Sequence, residues 1–575
     1  MLALLTSKNK SNSFNSKKVS DSAGTAPDQA AANLPELECV GWRHTHDCDP
    51  DTFVLQSFNR TCDFHVRGGQ SGYCEMRNRS TGAEVHVMKI SCTSIRPDVL
   101  FTCNQALDFV NFREETEAVV AQASLPKAIA STTTTVESAS VYDDDAVQVS
   151  NRTSRLRAAA NTQVYRQKET GAESLEEDTS GILMVIYPKL LVSAYASVRT
   201  LRATHNCSLP IEIWYLASEM GPNATQHPIL NELVTKFAPV SLVTIEEQKV
   251  TGFNSKVHAI LHTNLTSVLF LDADNLPVRD PTYLFETQEF KENGAMFWPD
   301  FWHPKHSIFN INKQSLIWEL LGLDFVDMFE QESGQLLINK RKSAAALQLL
   351  ELFAFRRPSI FENLKLAWGD KDLFRLAWLK TNTSFHMIQT PPGVAGSLVQ
   401  SKFCGMTMAQ FDPLGDIVFL HRNAMKLNGG RPALGKDADS QIWTHLQTFA
   451  WKTNNVTAKP RSNSTSTVAP TPTTSAILPS PSPLESVSLS NTTKPELSEY
   501  EKHKEFFQVA IYNGAPQYPA TQWCYGKESP PEEAHFKTVP WSETKFPGIE
   551  IVALAFAKEG AALLPEKGNV VFAST

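Results

Sequence analysis

Two carboxylates and an imidazole carry the sharpest chemical signal in this sequence. The apolar run Ser267-Val-Leu-Phe-Leu ends in Asp272-Ala-Asp274. Like charges one residue apart, just past a buried-strand pattern, call for a cation. Hard oxygen donors suit Mg2+ or Mn2+, ions commonly shared with the phosphates of a substrate. A second apolar run, Ile417-Val-Phe-Leu, ends in His421, with Lys426 five residues on. A neutral imidazole supplies a nitrogen ligand, and a lysine offsets phosphate charge. Each feature alone has a plain structural reading, since acidic residues cap helices and single histidines often only fill space. Together in one domain they favour metal ligation by Asp272, Asp274 and His421.

Other polar groups qualify less sharply. Trp368-Gly369-Asp370-Lys371-Asp372 opens a helical stretch. Asp370 and Asp372 read either as an ordinary acidic helix start or as carboxylates facing sugar hydroxyls. Glu332-Ser333-Gly334-Gln335 precedes the strand-like LLIN and reads as a turn or as a polar loop lining a sugar site. The aromatics of Phe297-Trp298-Pro299-Asp300-Phe301-Trp302 suit sugar stacking or the core, with the core favoured. No phosphate-cradling G-x-x-x-x-G-K-[ST], serine-hydrolase G-x-S-x-G or zinc-protease H-E-x-x-H is present. A phosphatase of the haloacid-dehalogenase type also places D-x-D after a strand, but on its first strand, and several strand runs come earlier here.

The elements that must position these groups alternate in type. Ile182–Tyr187, Ile211–Leu216, Val240–Ile245 and Ser267–Leu271 are short apolar runs and predict buried strands. Leu191, Ala194, Val198 and Leu201 recur at helical spacing, and Ser255–His262 predicts another helix. Strands alternating with helices predict βαβ units and a mostly parallel sheet. Ligands of such sheets sit at the carboxyl ends of strands, where the D-x-D lies.

The chain has 575 residues, a net charge of −8 and no block of basic residues, which argues against nucleic acid as a partner. Residues 1–35 are polar and predicted to be disordered. Six of the nine cysteines (Cys39, Cys48, Cys62, Cys74, Cys92 and Cys103) fall within 36–115. Dense cysteines without C-x-x-C pairs predict a small disulfide-stapled module, its pairing open among 15 connectivities. N-x-S/T triplets, such as those at Asn59, Asn206 and Asn382, agree with a secretory route. Residues 116–178 read as linker, 179–452 as the α/β domain and 453–500 as a Ser/Thr/Pro-rich spacer. Residues 501–575 are predicted to pack back on the domain. No apolar run has the roughly 18 residues of a transmembrane helix, and the apolar start at Met1 is short for a signal peptide.

In order, GILMVIYP, SVRTLR with LPIEIWY, the Lys256 helix, VLFLDADNLPVRDP, FWPDFW, FEQESGQLLINK, WGDKDLFRLAWL and FLHRNAMK resemble the fungal- or oomycete-type α-mannosyltransferases of glycosyltransferase family 71. The likeness runs from Gly181 to about Phe449. It implies an α/β fold of GT-A type, a Rossmann-like nucleotide-diphospho-sugar domain. It implies Mn2+ (or Mg2+), GDP-mannose as donor and retaining transfer of α-mannose to a glycan acceptor, in protein glycosylation in the Golgi. On this resemblance Asp272, Asp274 and His421 hold the metal. Tyr187, Arg202, Lys256, Asp272 and Lys426 serve the donor, and Asp370, Asp372, Glu332 and Gln335 lie near the reacting sugar. Two departures stand out. Related glycogenin-like enzymes have H-x-x-G-x-x-K, whereas four residues without a glycine separate His421 from Lys426. Members usually carry an N-terminal membrane anchor, and membrane association is therefore expected although no such segment is visible. The rival reading is a catalytically degenerate glycan-binding or scaffold protein.

Overall fold

Short apolar runs rich in Ile, Val and Leu pair into a sheet buried on both faces. In the computed structural model, which describes residues 37–123, 178–423, 425–430, 443–449, 498–514, 522–529 and 536–565, that sheet has seven strands. Ser180–Ile186, Ile211–Leu216, Val240–Ile245 and Ser267–Leu271 form its parallel half. Ser180–Ile186 lies between Ile211–Leu216 and Ser267–Leu271, and Val240–Ile245 is the outer edge. Gln331–Asn339 then pairs antiparallel with Ser267–Leu271, followed by Ala295–Pro299 and His386–Met387. This strand order is the Rossmann-like GT-A arrangement anticipated from the motifs. The helices Leu191–Arg199 and Asn254–His262 follow the first and third strands, as their spacing predicted.

A second, antiparallel sheet lies alongside. Its main path runs Asn275–Pro277, Ile417–His421, Lys402–Phe411, Gly393–Val399, His445–Phe449 and Phe536–Pro540. Ala510–Asn513 and Trp523–Gly526 form a hairpin off this path, and Cys524 is bonded to Cys404. The C-terminal helix Ile549–Ala562 packs on Leu191–Arg199. A Cβ on Gly560 would come within 2.7 Å of the Tyr195 ring, so only glycine permits this contact.

The cysteine-rich segment forms a three-stranded antiparallel sheet of Leu37–His44, Gly72–Asn78 and Glu84–Ile90. Disulfides join Cys39 to Cys62, Cys48 to Cys92 and Cys74 to Cys103. A unit this small buries too little apolar surface to hold itself, and cross-links supply the difference. A helix, Ala106–Ala123, follows and crosses the boundary at 115 at which linker was expected. Its Phe112 packs on Phe353 and Phe361 of the α/β domain, and Arg356 pairs with Asp108 and Glu115. These long-range contacts bury its apolar face, which an isolated linker would not do. The expectations for residues 1–35, for most of the linker (124–177) and for nearly all of the Ser/Thr/Pro spacer (up to 497) lie outside the described residues.

Candidate active site

The D-x-D motif and His421 are brought together by the seam between the two sheets. Asn275–Pro277, directly after the motif, pairs antiparallel with Ile417–His421, so Asn275 faces His421 in register. The turn is held by Asn275 N–H donating to the Asp272 carbonyl at 2.9 Å. Asn275 Nδ2 also donates to the Gly334 carbonyl at 2.9 Å and to Gln335 Oε1 at 2.6 Å. Beyond the strand, Arg422 N–H donates to the Asp274 carbonyl at 2.9 Å.

One ligand atom from each of Asp272, Asp274 and His421 lies within 4.8 Å of the others. His421 Nε2 is 3.4 Å from Asp274 Oδ1 and 3.9 Å from Asp272 Oδ2. Two bonds of about 2.1 Å span at most about 4.2 Å, so the distances from His421 to both carboxylates already fit a shared cation. Asp274 and His421 are buried, and Asp272 is partly exposed to the cavity. His421 Nδ1 has no hydrogen-bond partner, its nearest recorded charge being Glu332 Oε1 at 3.6 Å. The donor set of two carboxylates and one imidazole fits Mn2+ or Mg2+. Gly334 makes the approach possible, because a Cβ there would stand 2.5 Å from His421 Nδ1.

Two lysines flank the cluster. Lys426 pairs with Asp274. Burial lowers its ammonium pKa, partly countered by Asp272. Lys256 donates to the Ser333 carbonyl at 2.7 Å, and lies 3.1 Å from Asp370 Oδ2 and 3.5 Å from Asp272 Oδ1. Its burial disfavours the charge, but Asp272 and Asp370 outweigh that and raise its pKa. Asp370 in turn is pushed up by burial, with Lys256 opposing.

These groups open on one cavity of about 930 Å3. Tyr187, Lys256, Asp272, Asp274, Glu332, Asp370, His421 and Lys426 all line it. Tyr187 directly follows the first parallel strand, and Glu219, which the sequence reading passed over, follows the second strand of the domain. Three expected residues are not among the lining residues. Arg202 is spent on backbone, donating to the carbonyls of Phe237, Cys207, Leu209 and Pro239. Gln335 is fully buried and accepts from Asn275. Asp372 is fully buried, with Oδ1 2.7 Å from Arg375 Nε and Oδ2 3.2 Å from Lys371 Nζ. Burial alone would raise its pKa, but Lys371 and Arg375 lower it on balance. Glu332-Ser333-Gly334-Gln335 is not a loop but part of the strand Gln331–Asn339.

Other lining groups went unread in the sequence. Arg96 and Asp98 come from the disulfide-stapled segment, and Ile511 and Tyr525 from the C-terminal hairpin. The aromatic stretch splits: Phe297 and Trp298 are core, whereas Phe301 and Trp302 reach the cavity. Asp300, raised to about 6 by burial against the pull of Lys371, lines its floor. The disulfide Cys404–Cys524 brings Tyr525 near, and such a pairing is not deducible from spacing.

Comparison with known proteins bears on this site. Residues 179–316 and 325–412 match the family model described as "Mannosyltransferase putative". The alpha-1,2-mannosyltransferase MNN2 of Saccharomyces cerevisiae is 27% identical over 299 residues, covering 45% of this chain and 50% of that protein. The alpha-1,2-mannosyltransferase MNN21 of Candida albicans is 25% identical over 340 residues, covering 49% and 51%. The chain thus spans about half the length of these curated relatives. The galactosyltransferase LgtC, solved with donor and acceptor sugar analogues, aligns over 36% of this chain and 73% of its own at 13% identity and a TM-score of 0.27. Fold assignment rests on the strand order rather than on that alignment. By the family match and these relatives, the region from residue 179 to residue 412 is similar to the mannosyltransferases to which its motifs pointed.

Proposed function

We propose that this chain is a metal-dependent, retaining glycosyltransferase that moves α-mannose from GDP-mannose to a glycan acceptor. One observation carries the reading: two carboxylates and an imidazole converge at the strand ends of a mannosyltransferase-like domain, inside a cavity that Lys256, Lys371 and Lys426 also line. In open α/β sheets the nucleotide sits beyond the carboxyl ends of the strands, here beside Tyr187 and Glu219. Asp272, Asp274 and His421 would hold Mn2+ or Mg2+. A divalent ion bound there supplies Lewis-acid neutralisation of a departing diphosphate.

The chain's own residues do the rest. Lys426 and Lys256 bring positive charge to the phosphate end, where fixed charges need no reorganisation. Lys256 also ties Asp370 to Asp272, which orients both carboxylates. Glu332 faces the cavity with Oε1 accepting the Gly334 N–H at 2.7 Å. In this reading Glu332 and Asp370, which both line the cavity, contact the transferring sugar. Same-face attack, assisted by the leaving phosphate, accounts for retention without assigning a nucleophile. The relatives' α-1,2 linkage is the first linkage to test.

Disulfides in the N-terminal segment favour an oxidising compartment such as the Golgi lumen. Among the described residues no helix is long and apolar enough to cross a membrane. No observation favours a binding-only protein, because the constellation a transferase needs is present together. The test is GDP release and mannose transfer from GDP-mannose with Mn2+, comparing wild type with Asp274→Ala. Loss of both in the variant is expected, and equal turnover would end the assignment.

A further inference from the structure

One part of the cavity wall comes from the disulfide-stapled segment, and the donor and its cation leave it without a role. From Asp272 a line of contacts leads to it. Lys256 joins Asp272 to Asp370, and Asp370 is two residues from Trp368. Trp368 stacks on Phe309, with centroids 5.8 Å apart and planes 27° apart. On Phe309 lies the guanidinium of Arg96, 5.6 Å from the ring centroid. Arg96 belongs to the disulfide-stapled segment, so the wall of the cavity changes from α/β domain to that segment here.

This part is built rigidly. Arg96 grips Asp98 through Nε at 2.9 Å and Nη2 at 3.3 Å, and Lys365 of the α/β domain reaches the same carboxylate at 2.8 Å. The segment is clamped next to it. Ser94 donates through Oγ to the Gln314 carbonyl at 2.5 Å, and its own carbonyl accepts from Leu316 N–H at 3.1 Å. Asn310 Nδ2 donates to the Thr93 carbonyl at 2.8 Å, and Cys92 is cross-linked to Cys48. Two aromatic faces stay open beside this clamp: Trp368 is 47% exposed and Phe253 60% exposed.

An open indole face next to a fixed, partly exposed carboxylate is the chemistry that recognises a sugar. The C–H face of a hexose packs on an aromatic ring, and a hydroxyl donates to a carboxylate that keeps a free lone pair. Three donors already occupy Asp98, which leaves about one of its roughly four acceptor sites open. We propose that this part of the cavity is the acceptor subsite, where Trp368 takes the apolar face of a neutral hexose unit and Asp98 accepts a hydrogen bond from one of its hydroxyls. The proposal rests on the glycosyltransferase reading above, and gives the cysteine-rich segment a role in acceptor choice. Asp98 is held ionised, at about 2, first by its hydrogen bond from Arg96, so it remains a pure acceptor at any physiological pH.

The test is calorimetric titration of the full chain with an α-linked mannobiose, independent of turnover. Wild type is expected to bind, and Trp368→Ala and Asp98→Asn each to bind at least tenfold more weakly. Trp368→Phe, which keeps a ring, is expected to recover most of that loss. Wild-type affinity in both Trp368→Ala and Asp98→Asn overturns the proposal. So does a wild type that takes mannose 6-phosphate but not mannobiose. If mannobiose binding depends on these residues while GDP-mannose is not turned over, the subsite stands and the catalytic reading falls.

Discussion

Replacing Gly334 by alanine tests the constellation with a single methyl group. Gly334 is absent from the glycines with positive φ, so alanine brings no backbone strain. Its Cβ would stand 2.5 Å from His421 Nδ1 and 2.6 Å from Cε1, where ordinary contact begins at 3.4 Å. Something must therefore yield by roughly 0.9 Å against close-packed neighbours. The backbone of His421 cannot easily give, since it pairs with Asn275 on one side and Met408 on the other. The carbonyl of Gly334 is equally fixed, accepting from Asp272 N–H and Asn275 Nδ2, both at 2.9 Å. The imidazole must turn, and metal sites tolerate ligand displacements of only about 0.2 Å. Disturbing a ligand's support costs about 10- to 100-fold in metal affinity, or about 1.4–2.8 kcal/mol. The assay is titration with Mn2+, following the free ion by electron paramagnetic resonance, with circular dichroism to check the fold. A folded Gly334→Ala protein that binds Mn2+ as wild type does would refute the reasoning.

Two further predictions concern stability. The Glu319 carboxyl accepts from Met88 N–H at 2.9 Å and Lys89 N–H at 2.7 Å, and burial raises its pKa to about 7. A raised carboxyl keeps its proton in the folded state, so its contribution is full below about pH 4.5 and lost as pH rises through 7. Thermal unfolding at pH 5 and pH 8 should show a loss of at most about 3 kcal/mol from this group, and Glu319→Gln should flatten it. The second concerns the fully buried pair of Arg422 and Glu550, 3.3 Å apart, whose Glu550 also accepts from Trp443 N–H at 3.0 Å. Glu550→Ala takes the carboxylate away from a buried guanidinium, which keeps its bond to the Met425 carbonyl, and should cost about 3 kcal/mol in urea unfolding. A cost below about 1 kcal/mol would mean that the C-terminal helix does not brace the residue next to His421.

Periodicity made the parallel half of the sheet legible. Ile211–Leu216, Val240–Ile245 and Ser267–Leu271 are strands over the residues their apolar runs indicated. The chemistry at two strand ends was legible for the same reason, because a strand that stops in polar residues at its carboxyl end aims them at a ligand. What failed was polarity inside the core. Gln331–Asn339 looked like a loop at its start because Gln, Glu, Ser and Gly break the apolar pattern. Gln331, Ser333 and Gly334 are buried nonetheless, and Glu332 faces the cavity: Gln331 accepts from Arg375 N–H, and Ser333 meets Lys256. Arg202 and Asp372 misled in the same way, since charge normally signals surface or site. Here the carbonyls around Arg202 and the cations around Asp372 absorb it. The cavity wall supplied by Arg96, Asp98 and Tyr525 was invisible, because only tertiary packing brings those segments there.

The antiparallel sheet bears on how this chain tolerates being cut. His445–Phe449 lies before the Ser/Thr/Pro tract and Phe536–Pro540 after it, yet the two are hydrogen-bonded neighbours. Cys404 and Cys524 also stand on opposite sides of the tract and are covalently joined. Proteolysis within the tract would therefore leave one molecule until a reductant is added, and expression of a shortened form ending near residue 450 would strip an edge strand and the helix beside His421. The segments on the two sides of the tract therefore belong to one folded body.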